Sequence, residues 1–272
     1  MTRTRLPLSS LSVGTPTAVA WVCGDVPIQC HGKLRAVDDY CAMEVNSGYG
    51  RKALPTNKPG MMVDQSSRFW NRIAERYAKR PVADEAAYQK KLRVTREFFQ
   101  PNMEVLELGC GTGSTAITHA PYVKHILAID ISSKMIDIAK GKADAKNVEN
   151  VTFERSSIDE LSVSDQSLDA VLGLSILHLL DNKEDVIAKV HEVLKPGGIF
   201  VTSTACLGDT MKFFKVIAPI GKFIGLMPLV KVFTTKELED SLTDTGFEIY
   251  YRWQPGKGKA VFIVAKKADA GR

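Results

Sequence analysis

The sequence predicts an α/β protein in which short buried strands alternate with helices and the chain closes on a hairpin. The first observation is an apolar strand at 105–108 that stops at a run of glycines and leads into a helix. The second is a series of further buried-type strands separated by helical patterns, at 124–130, 151–154, 168–175 and 199–203. The third is a final pair of strands, at 247–253 and 260–265, joined by Pro255-Gly256-Lys257-Gly258.

Three glycines in alternate positions, Gly109, Gly111 and Gly113, follow the strand at 105–108. Such a turn bends the backbone sharply and lets a ligand approach it closely. Because the helix after it begins with free N–H groups, this combination is typical of a nucleotide-type site. The dinucleotide fingerprint requires glycine or alanine where Ser114 stands, and here the third glycine comes one place early.

Glu107 at the end of the strand completes an E-x-G-x-G-x-G arrangement, which resembles motif I of the class I S-adenosylmethionine-dependent methyltransferases. Further markers follow in order: Asp130, the strand at 168–175, Lys195-Pro196-Gly197-Gly198 and the final hairpin. The resemblance implies a Rossmann-like, seven-stranded, mostly parallel sheet with an antiparallel last strand and helices on both faces. It also implies S-adenosyl-L-methionine as the methyl donor, with a carboxylate favoured near the donor's ammonium and sulfonium groups.

Asp130 ends the strand at 124–130, and Ser132 is predicted to cap the helix after it. Along the chain, Asp130 follows the glycine turn at nearly the spacing at which a nucleotide site carries its ribose-binding carboxylate. The alternative is an acid favoured by the dipole of the helix start. The resemblance implies donor contacts in the turn and after Asp130, at Glu107, Gly109, Gly111, Thr112, Gly113, Ile131 and Met135.

Many members of the family place an acid beside the adenine amino group where this chain has Ser157. Either the Ser157 hydroxyl or the nearby Asp159 can accept that hydrogen bond. By resemblance, the backbone N–H of Ile158 meets the adenine ring, and the backbone at Leu174 faces the methionine end of the donor.

His178 follows the strand at 168–175 and matches a histidine common in small-molecule members of the family. It is a candidate to act as a base or to orient the methyl acceptor, although a lone histidine in an apolar run is more often a core residue. Trp70 and Tyr77 are candidates for lining the acceptor pocket, and Tyr77 is a second candidate base. Aromatic core packing is the alternative for both. The sequence indicates no metal site.

Several helix boundaries are also predicted. Ser66 or Ser67 caps a helix over 68–79 with Phe69, Ile73 and Tyr77 on one face, and Asp84 caps a helix that runs to Phe99. A helix over 183–195 ends at Pro196-Gly197-Gly198, and a capping box at Thr234 opens a helix to Thr245.

The segment 206–233 is rich in Met and Phe, interleaved with lysines and broken by Pro219 and Pro228. In this fold, an insert at that place commonly covers the acceptor site, and its composition suits a lipophilic or aromatic acceptor. A dimer contact or plain packing are alternatives. The lysines also allow weak association with a membrane surface.

Composition places the chain among ordinary globular proteins. Its 272 residues are 44% hydrophobic with a net charge of +5, and we expect no nucleic-acid partner because the charge shows no basic footprint. Five cysteines without C-x-x-C spacing indicate reduced thiols and a cytoplasmic location. No uncharged apolar run is long enough for a transmembrane helix.

Residues 1–60 are rich in Pro, Gly, Ser and Thr and lack sustained periodicity. We interpret them as lying outside the folded domain, either disordered or a translated extension upstream of Met61. The methyltransferase domain is predicted over 61–268, followed by a short tail at 269–272.

The chain therefore resembles an S-adenosylmethionine-dependent methyltransferase of the ubiquinone/menaquinone-biosynthesis-like type. It would act by direct in-line methyl transfer on a small, lipophilic or aromatic molecule. The sequence leaves the oligomeric state open. A nucleotide-dependent oxidoreductase and a methyltransferase-like binding protein without catalysis are the two alternatives.

Overall fold

The computed structural model describes residues 20–23, 26–29, 59–210 and 230–269. The helices are α1 (Pro59–Ala78), α2 (Glu85–Arg96), α3 (Ser114–His119), α4 (Ser133–Asp144), α5 (Lys183–Val193) and α6 (Thr235–Asp244). The strands are β1 (Ala20–Cys23), β2 (Val26–Gln29), β3 (Glu104–Leu108), β4 (His125–Asp130), β5 (Val151–Arg155), β6 (Leu168–Leu174), β7 (Leu194–Thr204), β8 (Phe247–Trp253) and β9 (Val261–Lys267).

Seven of the strands form one sheet in the order β5-β4-β3-β6-β7-β9-β8. The pairs among β5, β4, β3, β6 and β7 are all parallel, whereas β9 runs antiparallel to both β7 and β8. This confirms the predicted fold class, including the antiparallel last strand. An all-parallel dinucleotide-binding sheet has no such strand.

Hydrophobic side chains bury both faces of this sheet. Leu106, Val171 and Phe200 belong to the core on one face. Their chain neighbours Val105 and Leu172 belong to the core on the other face. Two buried faces explain why the central strands read as nearly continuous apolar runs. Because β3, β4 and β6 run parallel, their carboxyl ends meet at one edge of the sheet. The polar residues of the candidate site follow the strands at this edge.

Three of the predicted caps are present. The side chain of Asp84 accepts a hydrogen bond from the backbone N–H of Ala87 (3.0 Å). Ser132 Oγ accepts one from the N–H of Met135 (3.2 Å) at the start of α4. Thr234 and Glu237 form the capping box of α6 in both directions. Local sequence was sufficient here because a cap and its partner lie within one helical turn.

The prediction that Ser66 or Ser67 begins a helix is wrong. Helix α1 begins at Pro59, a residue type suited to the first turn of a helix. Ser67 is 3% exposed and lies inside the helix, on the same face as the fully buried Ala74. The predicted apolar face of Phe69, Ile73 and Tyr77 is half-buried. Among the side chains described in α1, from residue 65 onward, the small residues Ser67 and Ala74 are therefore the most deeply buried.

The prediction that α5 ends at Pro196-Gly197-Gly198 is also wrong. The helix ends at Val193, and β7 already begins at Leu194, which pairs with Leu168. The register then shifts so that Ala170 pairs with Ile199. The Pro-Gly-Gly segment is thus an irregularity within the strand, where Gly197 takes a φ of +74°.

Two predicted segments fall largely outside the described residues. Within 1–58, the structure describes β1 and β2, which pair with each other. Residues 211–229, the centre of the predicted acceptor cover, are not described. Both assignments therefore stay predictions. Among the described residues, no helix has the length and apolar character needed to cross a membrane.

Candidate active site

The glycine turn between β3 and α3 forms a sharply bent cradle. Gly109, Gly111 and Gly113 have φ values of +64°, +53° and +73°, all in the left-handed region. Only glycine adopts this region without strain as a matter of routine. The sequence after Leu108 therefore produces a bend that another residue type at these positions would resist.

Two of these glycines are required by packing within the protein. A Cβ atom on Gly109 would lie 2.7 Å from Cδ1 of Ile176. A Cβ atom on Gly113 would lie 2.7 Å from the Cβ of Ala139 and 2.8 Å from the ring of Phe153. These two positions hold the turn against the segment after β6 and against α4 and β5.

Gly111 differs because the space beside it is open. The nearest atom to a Cβ built there is Cε1 of Tyr77, at 3.9 Å. Tyr77 and Trp70, both half-buried on α1, meet edge to face with ring centroids 6.2 Å apart. The open side of the glycine turn is therefore bordered by aromatic rings of α1, and a ligand can approach the Gly111 backbone there.

Asp130 is held in place by two backbone amides. Its Oδ2 accepts a hydrogen bond from the N–H of Gly111 (2.9 Å), and its Oδ1 accepts one from the N–H of Ser132 (2.8 Å). Burial raises the pKa of the carboxyl, whereas these two hydrogen bonds oppose that rise. Each oxygen retains a lone pair, so the carboxylate can still accept hydrogen bonds from a pair of hydroxyl groups.

Glu107 carries an unsatisfied buried oxygen. The residue is 3% exposed, and its Oε2 has no hydrogen-bond partner. The carboxyl accepts the backbone N–H of Ala116 in the first turn of α3. Burial, followed by repulsion from Asp130, raises the pKa of Glu107 from its usual 4.5 to about 8. A buried acid of this kind is suited to a cationic ligand group, which would satisfy the oxygen and stabilise the charge.

The predicted adenine-side residues lie after β5. Ser157 is half-buried, and its backbone N–H donates to Oε2 of Glu160 (3.2 Å). Ile158 is buried, whereas Asp159 is exposed. Ile131 is half-buried and its carbonyl accepts Nε of Arg155 (3.3 Å), while Met135 is buried in the first turn of α4. The choice between Ser157 and Asp159 stays open.

Thr112 is buried within the turn, and its Oγ1 accepts a hydrogen bond from Nζ of Lys142 (2.8 Å). The same ammonium donates to Oγ of Ser114 (3.2 Å). Burial, with a smaller contribution from Lys146, lowers the pKa of Lys142. Lys142 thus connects α4 to the glycine turn. Sequence reasoning missed it because nothing in the pattern of α4 distinguishes it from the other surface lysines.

The segment after β6 carries Leu174 and His178. Leu174 is half-buried at the end of the strand, and Ser175 after it has a φ of +61°. His178 is 1% exposed, and its backbone carbonyl accepts the N–H of Lys231 (2.8 Å). Burial lowers the pKa of His178 to about 4. The imidazole is therefore neutral at pH 7.

Tyr88, on α2, is a further residue near this site, and the sequence analysis did not single it out. Its hydroxyl lies 3.4 Å from Oγ1 of Thr115 in α3. Burial raises the pKa of the phenol, and the nearby charge of Glu107 adds to the rise. Its position on the helix directly before β3 and the glycine turn was the available signal.

A separate cleft of about 180 Å³ lies next to the turn that carries His178. It is lined by Leu180, Asp181, Lys183, Glu184, Lys231, Val232 and Phe233. Its charges are paired within the cleft: Lys231 Nζ lies 3.0 Å from Oδ1 of Asp181, and Lys183 forms an ion pair with Glu184. This cleft is distinct from the cradle. Among the described residues, no group of three His, Cys, Asp or Glu is placed to hold a metal ion.

The sheet order, the antiparallel β9 and the acid-lined glycine cradle are those of the class I S-adenosyl-L-methionine-dependent methyltransferase fold. The residues fit this cofactor, because Gly111 lines open space and the buried Oε2 of Glu107 can accept from a cationic group. A protein-family model described as "Methyltransferase domain" matches residues 99–248, more than half of the chain. The chain therefore belongs to this family.

Individual relatives agree with this assignment. Over 97 residues, the chain is 32% identical to the "Uncharacterized methyltransferase YcgJ" of Bacillus subtilis, a match that covers 36% of this chain and 38% of that protein. Over 153 residues, it is 29% identical to the "Ubiquinone biosynthesis O-methyltransferase" of Rickettsia akari, covering 54% of this chain and 59% of the relative. The chain thus spans between about two fifths and three fifths of the length of these relatives.

The solved structures show the same fold. The crystal structure of YcgJ superposes with a TM-score of 0.56 and covers 67% of this chain and all of that one. At 16% identity, this likeness concerns the fold alone.

Proposed function

We propose that this protein transfers the methyl group of S-adenosyl-L-methionine to a small, lipophilic or aromatic molecule. The observation that carries the proposal is the pairing of two acids around an open glycine, with the unsatisfied Glu107 on one side and the amide-bound Asp130 on the other. In this assignment, Glu107 receives the ammonium group of the donor and Asp130 receives the ribose hydroxyls.

The remaining donor contacts follow the family resemblance. Ser157 or Asp159 accepts from the adenine amino group, the N–H of Ile158 meets the adenine ring, and the backbone at Leu174 faces the methionine end. Thr112, Ile131 and Met135 complete the contacts. Lys142 supports Thr112 through the hydrogen bond between them (2.8 Å).

A sulfonium methyl group is already activated for displacement. Bound S-adenosyl-L-methionine would supply such a methyl group to a lone pair of the acceptor, and the electron pair of the broken carbon–sulfur bond would stay on sulfur. The chain has to bind the acceptor in line and exclude water, and positioning of this kind can supply about 7–11 kcal/mol.

A base is needed where the acceptor must lose a proton, and His178 and Tyr77 are the residues we propose for that role. The depressed pKa of His178, about 4, keeps its imidazole neutral and able to accept a proton at pH 7. Such a low pKa makes it a weak base, so orientation of the acceptor is the alternative role for the same residue.

The class of acceptor is supported by the names of relatives. Besides the ubiquinone biosynthesis enzyme, a "Demethylmenaquinone methyltransferase" of Tropheryma whipplei is 29% identical over 145 residues. The Met- and Phe-rich composition of 206–233 suits an acceptor of this lipophilic or aromatic kind.

We also infer a cytoplasmic location from the cysteine usage. Among the described residues, Cys110 and Cys206 are free, buried thiols.

Two substitutions separate the donor site from the acceptor site. Asp130→Ala should weaken binding of S-adenosylhomocysteine by about 100-fold or more, because charged hydrogen bonds are lost. His178→Ala should leave that affinity within about twofold and slow methyl transfer by about 100-fold. Calorimetry measures the first effect. Formation of S-adenosylhomocysteine, in a screen of quinone precursors, phenols and lipids, measures the second.

Asp137→Ala, which removes an exposed acid of α4, is the matched control and should leave both quantities unchanged. If Asp130→Ala and His178→Ala behave alike, the division into donor and acceptor residues is wrong. Absence of any heat with the donor and with its demethylated product would overturn the proposed function as a whole.

A further inference from the structure

Helix α1 borders the donor cradle through aromatic side chains, but a polar side chain attaches it to the rest of the domain. Asn71 lies on the face of α1 that also carries the buried Ser67 and Ala74. On either side of it along the helix, Trp70 and Tyr77 make their edge-to-face contact. The helix therefore presents its aromatic rings and its attachment point to the same region.

The attachment is a cluster of hydrogen bonds to the start of α4. Asn71 Oδ1 accepts from Oγ of Ser132 (2.8 Å) and from the backbone N–H of Lys134 (3.1 Å). Oγ of Ser133 lies 3.4 Å from the same oxygen, at the long end of hydrogen bonding. The backbone N–H of Lys134 is one of the helix-start groups that would otherwise need water. A single amide oxygen of α1 is thus the acceptor for the first turn of α4.

The same hydrogen-bonded path continues into the cradle. Ser132 donates its hydroxyl to Asn71 and its backbone N–H to Oδ1 of Asp130 (2.8 Å). Oδ2 of Asp130 accepts the N–H of Gly111 (2.9 Å). The open side of Gly111 then faces Tyr77, back on α1. One continuous series of hydrogen bonds therefore links α1 to the glycine turn, through Asn71, Ser132, Asp130 and Gly111.

We propose that Asn71 is a positioning residue for the methyl donor: it fastens α1 beside the cradle and, through Ser132, holds the Asp130 carboxylate in its binding orientation. When Asn71 is attached to α4, Tyr77 stays beside the open side of Gly111, with Trp70 packed against its ring. When Asn71 is released, α1 can move away while the sheet remains intact. The inference rests on S-adenosylmethionine being the cofactor and is independent of the acceptor and of turnover.

The decisive comparison is Asn71→Leu against Asn71→Asp in the full chain. Leucine has a similar size but accepts no hydrogen bond, whereas aspartate keeps an acceptor for all three donors. Binding of S-adenosylhomocysteine is measured by calorimetry, and its dissociation rate by stopped-flow tryptophan fluorescence. We expect Asn71→Leu to raise Kd by about 5- to 30-fold, mainly through faster dissociation, and Asn71→Asp to stay within about threefold of the wild type.

Asn182→Leu is the matched control. Asn182 caps α5 by accepting the N–H of Glu184 (3.1 Å), away from the cradle. Its replacement should lower the stability of the protein because a helix cap is lost, yet the dissociation rate of S-adenosylhomocysteine should stay unchanged. A purely structural role for Asn71 would lower the melting temperature without this selective change in dissociation.

Hydrogen exchange provides a second measurement. S-adenosylhomocysteine should protect 65–78 and 130–136 together in the wild type, and Asn71→Leu should abolish the protection of 65–78. If Asn71→Leu does not fold, the wild-type comparison decides, and protection confined to one of the two segments overturns the proposal. It is also overturned if Asn71→Leu dissociates at the wild-type rate, or if Asn71→Asp is equally defective. A wild type that binds no donor would instead refute the cofactor assignment itself.

Discussion

Glu107 and Asp130 show how two acids at neighbouring strand ends acquire different chemistry. Asp130 accepts two backbone N–H groups, which favour its charged form. Glu107 has an oxygen without a partner and lies deeper in the protein, so its neutral form is favoured. The acid with satisfied oxygens is suited to neutral hydroxyls, and the acid with an unsatisfied oxygen is suited to a cation.

The raised pKa of Glu107 predicts a pH-dependent affinity for the donor. Below about 8, the carboxyl of the free protein carries a proton, and a bound cation favours the charged form. Binding therefore releases a proton, and Kd for S-adenosylmethionine should fall as the pH rises from about 6 to about 8, by at most about tenfold per pH unit. Calorimetry in buffers of different ionisation enthalpy measures both the affinity and the proton release.

Glu107→Gln keeps an acceptor for the N–H of Ala116 and cannot ionise. Its donor affinity should be weaker at pH 8 and should retain only the pH dependence that comes from the ligand's own amine. The effect of pH on folding stability is opposite to its effect on donor affinity: stability falls as the pH rises. A carboxyl whose folded pKa is raised stabilises the fold below its unfolded pKa near 4.5, and this contribution is lost as the pH rises through about 8. Without donor at pH 8, Glu107→Gln should thus melt no lower than the wild type, and equal pH profiles of Kd for the two proteins would contradict the assignment.

At the scale of the element, the strand–turn–helix unit combines two requirements in three glycines. Gly109 and Gly113 satisfy packing, and Gly111 preserves space for the ligand. In the same unit, packing leaves His119 without hydrogen-bond partners. This histidine is fully buried at the end of α3 with neither ring nitrogen hydrogen-bonded, and burial lowers its pKa to about 3. Its ring packs edge to face on Phe99 instead.

Alanine at two of these glycines should separate packing from binding. Gly111→Ala should cost about 1–2 kcal/mol of unfolding free energy for its left-handed φ, and it should abolish measurable donor binding because the methyl group enters the cradle. Gly113→Ala meets the same strain plus contacts under 3 Å with Ala139 and Phe153, so we expect a further loss of about 1–3 kcal/mol. Urea denaturation and calorimetry measure the two effects. Donor affinity of wild-type strength in Gly111→Ala would mean that the ligand does not approach at Gly111.

At the scale of the whole molecule, the parallel strands carry their functional groups to one edge of a sheet that both cores support. Glu107 is the penultimate residue of β3, Asp130 ends β4 and Leu174 ends β6, and these strands are neighbours in the sheet. Ligands of open α/β sheets bind at this edge, where the strand order reverses. The reversal here falls between β3 and β6, directly at the glycine turn.

Removal of residues 1–58 should leave the domain intact. The strands described in this region pair with each other, and α1 begins at Pro59. The shortened chain should keep the melting temperature and the affinity for S-adenosylhomocysteine of the full chain. The control is removal of residues 1–79, which also deletes α1 with Asn71 and Tyr77 and should weaken that affinity by about tenfold or more. A shortened chain from residue 59 that fails to fold would show that the N-terminal segment is part of the domain.

The features predicted correctly from sequence depend on groups that are close along the chain. The caps at Asp84, Ser132 and Thr234 act within one helical turn, and strand ends, glycine turns and the final hairpin have local patterns. The boundary error at the end of α5 arose because distant strand pairing competes with local preference. Residues around Leu194 satisfy their hydrogen bonds by joining β6, so the strand begins before the Pro-Gly-Gly signal.

By itself, the sequence determined the order of the elements, the acids at the ends of β3 and β4 and the glycine turn between them, because each is specified by neighbouring residues. Only the tertiary structure decided that Asn71 binds the start of α4, that Lys142 supports Thr112 and that Glu107 is buried with an oxygen unsatisfied. These contacts join side chains far apart in the chain, and the pKa of a buried acid depends on the groups that folding brings around it. Local motifs therefore specify the residue types of the cradle, whereas packing determines its geometry and the charge state of its acids.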